Sequence, residues 1–178
     1  MKKGLFLFLI VSLFCSCSGD TLKTVTIEDK YSISLPSFLS KGNNLNEDAS
    51  LQYQNLLKEF YVIVIDEQKS ELQRALVQYD LTETYTNDLT GYSELLLNAF
   101  EQGVYVTQKS EPIDTLINNM PAKLITILGR VNGIDIFYSI AFIEGERRYY
   151  QIMTWTLLSR QYKYEDKMSE IIHSLVEL

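Results

Sequence analysis

The chain has 178 residues, 16 basic against 23 acidic, for a net charge of −7. That balance repels polyanions and excludes nucleic-acid binding through a basic surface. Both cysteines, Cys15 and Cys17, stand in the first seventeen positions and the one histidine is His173, so the remainder holds no disulfide framework, thiolate metal set or multi-histidine site.

Lys2 and Lys3 precede an almost unbroken apolar run from Leu5 to Phe14, and small residues follow from Ser16 to Gly19. This is the layout of an export signal. The run is half the length of about 20 residues that a membrane-spanning helix needs. A small residue, Ser16, stands before Cys17, whereas Phe14 stands before Cys15. The stretch Phe14-Cys15-Ser16-Cys17 therefore resembles a lipoprotein box, with Phe14 in place of the usual Leu, and predicts cleavage after Ser16 and acylation of Cys17. The expected division is a signal peptide over 1–16, a lipidated tether over 17–22 and one domain over 23–178. Without Lys2 and Lys3 the mature chain keeps 14 basic against 23 acidic residues, a charge of −9. It meets a membrane through its acyl chains rather than a basic patch. The expected location is the cell envelope, on the outer membrane facing the periplasm, with the cell surface as the alternative.

In chain order, the first expected strands are Thr24 to Glu28 and Tyr31 to Leu35, the second alternating Tyr31, Ile33 and Leu35 with Ser32 and Ser34 before Pro36 ends it. A polar loop from Lys41 to Ser50 leads to strands Leu51 to Asn55 and Glu59 to Ile65. The run Phe60-Tyr61-Val62-Ile63-Val64-Ile65 is apolar on both faces, as in a strand with both sides of its sheet covered. Ser70 with Gln73 reads as a capping pattern for a helix whose stripe is Leu72, Ala75, Leu76 and Tyr79. A second helix, Asp88 to Gln102, carries Tyr92, Leu95, Leu96 and Ala99. Four strands follow: Pro112 to Ile117, Ala122 to Val131, Ile134 to Glu144 and Arg148 to Leu157. Asn132-Gly133 reads as a type I′ hairpin turn, and Glu144-Gly145-Glu146 as the next turn. A final helix, Tyr164 to Val176, presents Met168, Ile171, Ile172 and Leu175.

This order predicts an α+β fold, an antiparallel sheet flanked by helices. With the opening Tyr31-Ser32-Ile33-Ser34-Leu35-Pro36, the meander ending Tyr149-Tyr150-Gln151-Ile152 and the finish Ile171-Ile172-His173-Ser174-Leu175, it resembles the PsbP-like fold, an α/β/α sandwich. The resemblance covers most of the mature chain and rests on fold marks. It implies binding of another protein rather than catalysis, as in the well-understood members of that family, and it transfers no site residues.

The search for chemistry returns few candidates. His173 near the chain end has no Gly-x-Ser-x-Gly elbow beside it, and its position suits a helix C-terminus, so no catalytic residue is assigned. The loop Asn44-Leu45-Asn46-Glu47-Asp48 alternates oxygen ligands as calcium loops do. However, Ala49 stands where Gly is required and Asn55 where a bidentate Glu is required, so no metal is assigned. Acidic pairs such as Asp66 with Glu67, or Glu144 with Glu146, read as solvated. No glycine-rich phosphate loop is present, and no cofactor is assigned. The 12 tyrosines are the compositional feature suited to binding. A β-rich fold buries most such residues, so a core role is the first reading of Tyr149, Tyr150 and Trp155, which are also the candidate binding aromatics. The expected function is a membrane-anchored, non-catalytic protein-binding or adapter module whose partner is an envelope protein. The alternative is a glycan- or small-ligand-binding lipoprotein, which needs several exposed aromatics converging on a groove.

Overall fold

A computed structural model describes residues 21–178. The expected signal peptide, the expected acylation site Cys17 and most of the expected tether lie outside the described residues. Strand β1 (Leu22–Ile27) already begins within the stretch read as tether. It forms a hairpin with β2 (Tyr31–Pro36), Leu22 opposite Pro36 and Ile27 opposite Tyr31. The other side of β2 is taken by the last strand, β11 (Val176–Glu177), so the two ends of the described chain share one three-stranded sheet.

The larger sheet is antiparallel and runs β3 (Ser40–Lys41), β4 (Leu51–Asn55), β5 (Phe60–Gln68), β10 (Arg148–Leu157), β9 (Ile134–Glu144), β8 (Met120–Val131) and β6 (Tyr105–Lys109). Strand β7 (Ile113–Ile117) pairs with the first half of β8, and β6 with its second half. The expected central strand is interior, between β4 and β10. Its two-faced apolar run follows from layers on both sides. On one face, Val62 and Val64 meet Ile33, Leu35, Met168, Ile171 and Ile172 of the small sheet and the last helix. On the other, Ile125, Ile140 and Phe142 meet Leu72, Leu76, Tyr92 and Leu97 of the first two helices. Each face buries its apolar side chains against a separate cluster, which is the physical content of a three-layer sandwich.

Helix α1 (Lys69–Gln78) starts one residue before the expected cap. Gln68 is the N-cap, and its capping box is completed by Glu71, whose Oε2 accepts from the Gln68 N–H at 3.1 Å. Ser70 therefore lies inside the helix, and Tyr79, expected on the buried stripe, is 65% exposed beyond its end. Helix α2 (Leu89–Gly103) is capped by Asp88, whose Oδ1 accepts from the Gly91 N–H at 2.9 Å. Its buried stripe uses Leu89, Tyr92 and Leu97, while Ala99 faces solvent. Helix α3 (Gln161–His173) follows a short 3-10 turn (Leu158–Arg160) and starts three residues earlier than expected. It also ends before Leu175, which is nonetheless fully buried.

The registers define two ends of the larger sheet. At one end lie the β4–β5 turn, the start of β9 and the end of β10, together with Thr21, whose carbonyl accepts from the Ser37 N–H at 2.8 Å. At the other, nine residues along β5 and therefore about 26 Å away, lie the β9–β10 turn and the β1–β2 turn. No helix among the described residues is long and apolar enough to cross a membrane.

Candidate functional site

Strand alternation explains the first element of the site. Phe60, Val62 and Val64 point into the core that faces the small sheet, and Asp66 is next in that register. Its carboxylate is only 1% exposed, where an unpaired charge is costly. Two cations meet it. Lys30 Nζ, at the β1–β2 turn, lies 3.0 Å from Oδ2, and Arg148 Nη1, at the start of β10, lies 2.8 Å from the same oxygen.

A second carboxylate balances the group. Glu177 of β11 reaches over the β9–β10 turn, where its Oε2 accepts from the Glu146 N–H at 2.5 Å and its Oε1 lies 2.9 Å from the Tyr150 hydroxyl. The Tyr150 hydroxyl is also 3.2 Å from the Lys30 carbonyl. Burial, then the contact with Glu177, holds the Tyr150 phenol well above its ordinary range. Gly145 is required by this arrangement, because a Cβ there would stand 2.4 Å from Glu177 Oε1. Lys30, Arg148 and Glu177 thus line a groove of about 380 Å³ together with Asp29, Gln68, Glu146 and Arg147, and Asp66 anchors the two cations without itself lining it.

Glu67, the neighbour of Asp66, points to the opposite face. Burial pushes its carboxyl above the usual carboxylate range; the nearby Tyr92 hydroxyl opposes the shift, while Glu71, Asp48 and Asp66 reinforce it. Tyr92 is 1% exposed, and its hydroxyl lies near Glu67 without reaching good hydrogen-bond geometry.

Several expectations about individual residues change on this geometry. Asp66 and Glu67 are not a solvated pair: one is buried in an ion-pair cluster and the other is half-buried on the far face. Glu144 is half-shielded as well, 2.7 Å from Lys69 Nζ, whereas Glu146 is exposed. The candidate aromatics do not converge on one surface. Tyr149 is 2% exposed and stacks on Tyr92 at 4.6 Å. Tyr150 is fully buried on the other face, edge-on to Tyr31 at 5.5 Å. Trp155, partly buried, stacks on Tyr61 at 5.2 Å. The reason is alternation along β10, which sends odd positions to the helical layer and even positions to the small-sheet layer.

The oxygen-rich loop is used internally: Asn46 Oδ1 accepts from the Asp48 N–H at 2.8 Å, and Gln52 Oε1 from the Leu45 N–H at 2.8 Å. Among the described residues, no three His, Cys, Asp or Glu side chains are grouped to hold a metal ion. His173 is exposed, with Nδ1 2.8 Å from the Ser169 carbonyl. The residues that sequence reasoning missed are Lys30, Arg148 and Glu177. Asp66 was findable, since it continues the even-numbered buried register of β5.

This is an α+β protein with the PsbP-like fold. Among solved structures, it is similar to the cyanobacterial PsbP of Synechocystis sp. PCC 6803, CyanoP, with a TM-score of 0.54 and 11% identity over 92% of this chain and 97% of that one. It is also similar to LpqN of Mycobacterium tuberculosis, described as involved in cell envelope biogenesis, with a TM-score of 0.56 and 8% identity over 88% of this chain and 90% of that one. No family model matches the sequence, and no curated protein matches it either. At these identities the likeness concerns the fold.

Proposed function

We propose that the protein is a lipid-anchored module of the cell envelope that binds another protein without catalysing a reaction. The observation that carries this reading is the make-up of the groove at the β9–β10 turn. Lys30 and Arg148 are held on the covered Asp66 carboxylate and Glu177 is held by the Glu146 N–H and the Tyr150 hydroxyl, so the groove offers a pre-ordered surface of both signs with Asp29, Glu146 and Arg147 exposed at its rim. A protein segment carrying both signs of charge can exchange contacts with Lys30, Arg147, Glu146 and Glu177 at the rim while Asp66 stays covered. The cell-envelope role ascribed to LpqN, which has the same fold, supports the location. The glycan reading loses its support because Tyr149 and Tyr150 are core residues.

The test places a photo-crosslinking amino acid at Arg147 and, as a control, at exposed Val77 on α1. Each variant is irradiated in intact cells, recovered with an antibody and analysed by mass spectrometry. One specific protein adduct at Arg147, absent at Val77 and reduced by Glu146→Lys, is the expected result. Equal adduct patterns at both positions would remove the protein-binding reading.

A further inference from the structure

The end of the larger sheet opposite the groove carries apolar side chains that the fold leaves uncovered. Leu57, at the tip of the β4–β5 turn, and Tyr162, in the first turn of α3, are each 91% exposed, Leu56 is 63% exposed and Leu22 53%. They belong to one surface. The Leu57 carbonyl accepts from Arg160 Nη1 at 3.0 Å, which ties the turn to the start of α3. Asn55 Nδ2 donates to the Phe38 carbonyl at 2.7 Å, and Lys58 Nζ lies 4.5 Å from the centre of the Phe38 ring. Phe38 follows Ser37, whose hydroxyl accepts from Thr21 Oγ1 at 2.9 Å. The chain therefore enters the fold beside the exposed leucines.

The tether length turns this adjacency into a constraint. Cys17 stands four positions before Thr21, and four fully extended residues span at most about 14 Å. If Cys17 carries the acyl chains, the membrane surface lies within that distance of Thr21, and the nearest protein surface has to face it. That surface is also suited by charge. Arg160 bonds the Leu57 carbonyl, Lys58 and Lys163 lie over the Phe38 and Tyr164 rings, and among the described residues none of the three takes part in a salt bridge, with Glu59 the carboxylate next to Lys58. Cations beside Leu and Tyr side chains suit the headgroup boundary of an anionic leaflet, where Tyr is enriched.

We propose that Leu56, Leu57 and Tyr162 form a membrane-docking tip that enters the interface of the leaflet holding the anchor. Resting on the lipid-anchor reading, this fixes the orientation of the domain: the sheet stands with its β4–β5 turn toward the lipid and the groove of Lys30, Arg148 and Glu177 about 26 Å farther out. The short tether alone limits distance, whereas the docked tip also limits rotation.

The folded part has no cysteine, so a thiol can be placed at will. The full-length lipidated protein carrying Leu57→Cys, and separately Glu146→Cys at the far end, is labelled with an environment-sensitive fluorophore. It is then reconstituted in phosphatidylethanolamine–phosphatidylglycerol vesicles containing lipids spin-labelled near the headgroup. The expected result is that both proteins float with the vesicles while quenching at Leu57 exceeds that at Glu146 by about threefold or more, a difference lost on Tyr162→Asp with Leu56→Asp. Vesicle-bound protein with equal quenching at the two positions overturns the docking tip and leaves the anchor intact. Protein that does not float overturns the anchor and the docking tip together. A blue shift at Leu57 without lipid quenching, accompanied by crosslinking between copies, assigns the patch to a second copy of the chain and also overturns the proposal.

Discussion

The Tyr150 hydroxyl lies 2.9 Å from Glu177 Oε1, so a residue in the middle of the larger sheet is bonded to the last strand of the small one. Glu177 is held from below by the Glu146 N–H and from the side by Tyr150, and Gly145 leaves the space it occupies. Tyr150→Phe should therefore destabilise the protein by about 1 kcal/mol. Gly145→Ala should displace the same carboxylate, so the two changes should combine to less than the sum of their separate effects. Urea unfolding of the two single variants and the double variant checks this; strict additivity would mean that Glu177 does not couple them.

Asp66 is covered by Lys30 and Arg148, and its removal leaves two cations facing each other with no anion between them. Asp66→Ala should cost about 3 kcal/mol, near the lower end for breaking a buried pair because Lys30 and Arg148 keep partial access to water. Asp66→Asn should cost less, since the amide oxygen still accepts a hydrogen bond. Chemical denaturation reads both values, and a loss below about 1 kcal/mol for the alanine variant would show that the pair is solvated in practice.

Glu67 sets a pH dependence of opposite sign to that of an ordinary salt-bridged carboxylate. Burial raises its folded-state pKa above the unfolded value, so between those two values the folded chain binds more protons than the unfolded one. Its contribution is therefore full at low pH and declines as pH rises through the window above the usual carboxylate range. Glu67→Gln should flatten this slope and raise the denaturation midpoint at neutral pH. Midpoints measured from about pH 4 to pH 8 for both proteins give the comparison. A parallel pair of curves would remove Glu67 from the account.

Gly91 is the strictest glycine. A Cβ at this position would stand 1.8 Å from the Thr86 carbonyl oxygen and 2.6 Å from the Thr86 nitrogen, and neither is a side chain that can swing aside. Gly91→Ala should open the Asp88 cap and cost about 3 kcal/mol, with loss of helical circular dichroism on mild heating. Gly103→Ala, where a Cβ meets nothing within 4 Å, is the control and should be neutral or slightly stabilising.

What was legible in the sequence follows the strength of each periodic signal. Strands β9 and β10 match their expected limits, because Ile134 to Glu144 and Arg148 to Leu157 are long, rich in β-branched and aromatic residues, and bounded by turns. The Asn132-Gly133 turn has the positive φ values expected, 51° and 81°. Strand β6, Tyr-Val-Thr-Gln-Lys, gave no such signal, since it is an edge strand with no fully buried side chain. The Asn118-Asn119 turn, also with positive φ at both residues, lacked the glycine that marks its counterpart. In α2, three successive leucines left the phase of the stripe ambiguous, and tertiary packing chose Leu97 over Ala99. The groove was least legible, because Lys30, Arg148 and Glu177, and the buried Asp66 that holds the two cations, are far apart in sequence and only the long-range strand registers bring them together.

Strand β2 lies between β1 and β11, so the first hairpin of the fold is completed by residues 176 and 177. For a polypeptide that emerges N-terminus first, this sheet stays open until residues 176 and 177 have emerged. Met168, Ile171, Ile172 and Leu175, which seal the core above β2, arrive at the same late moment. The connectivity thus delays the final closure of this domain until its last strand has emerged.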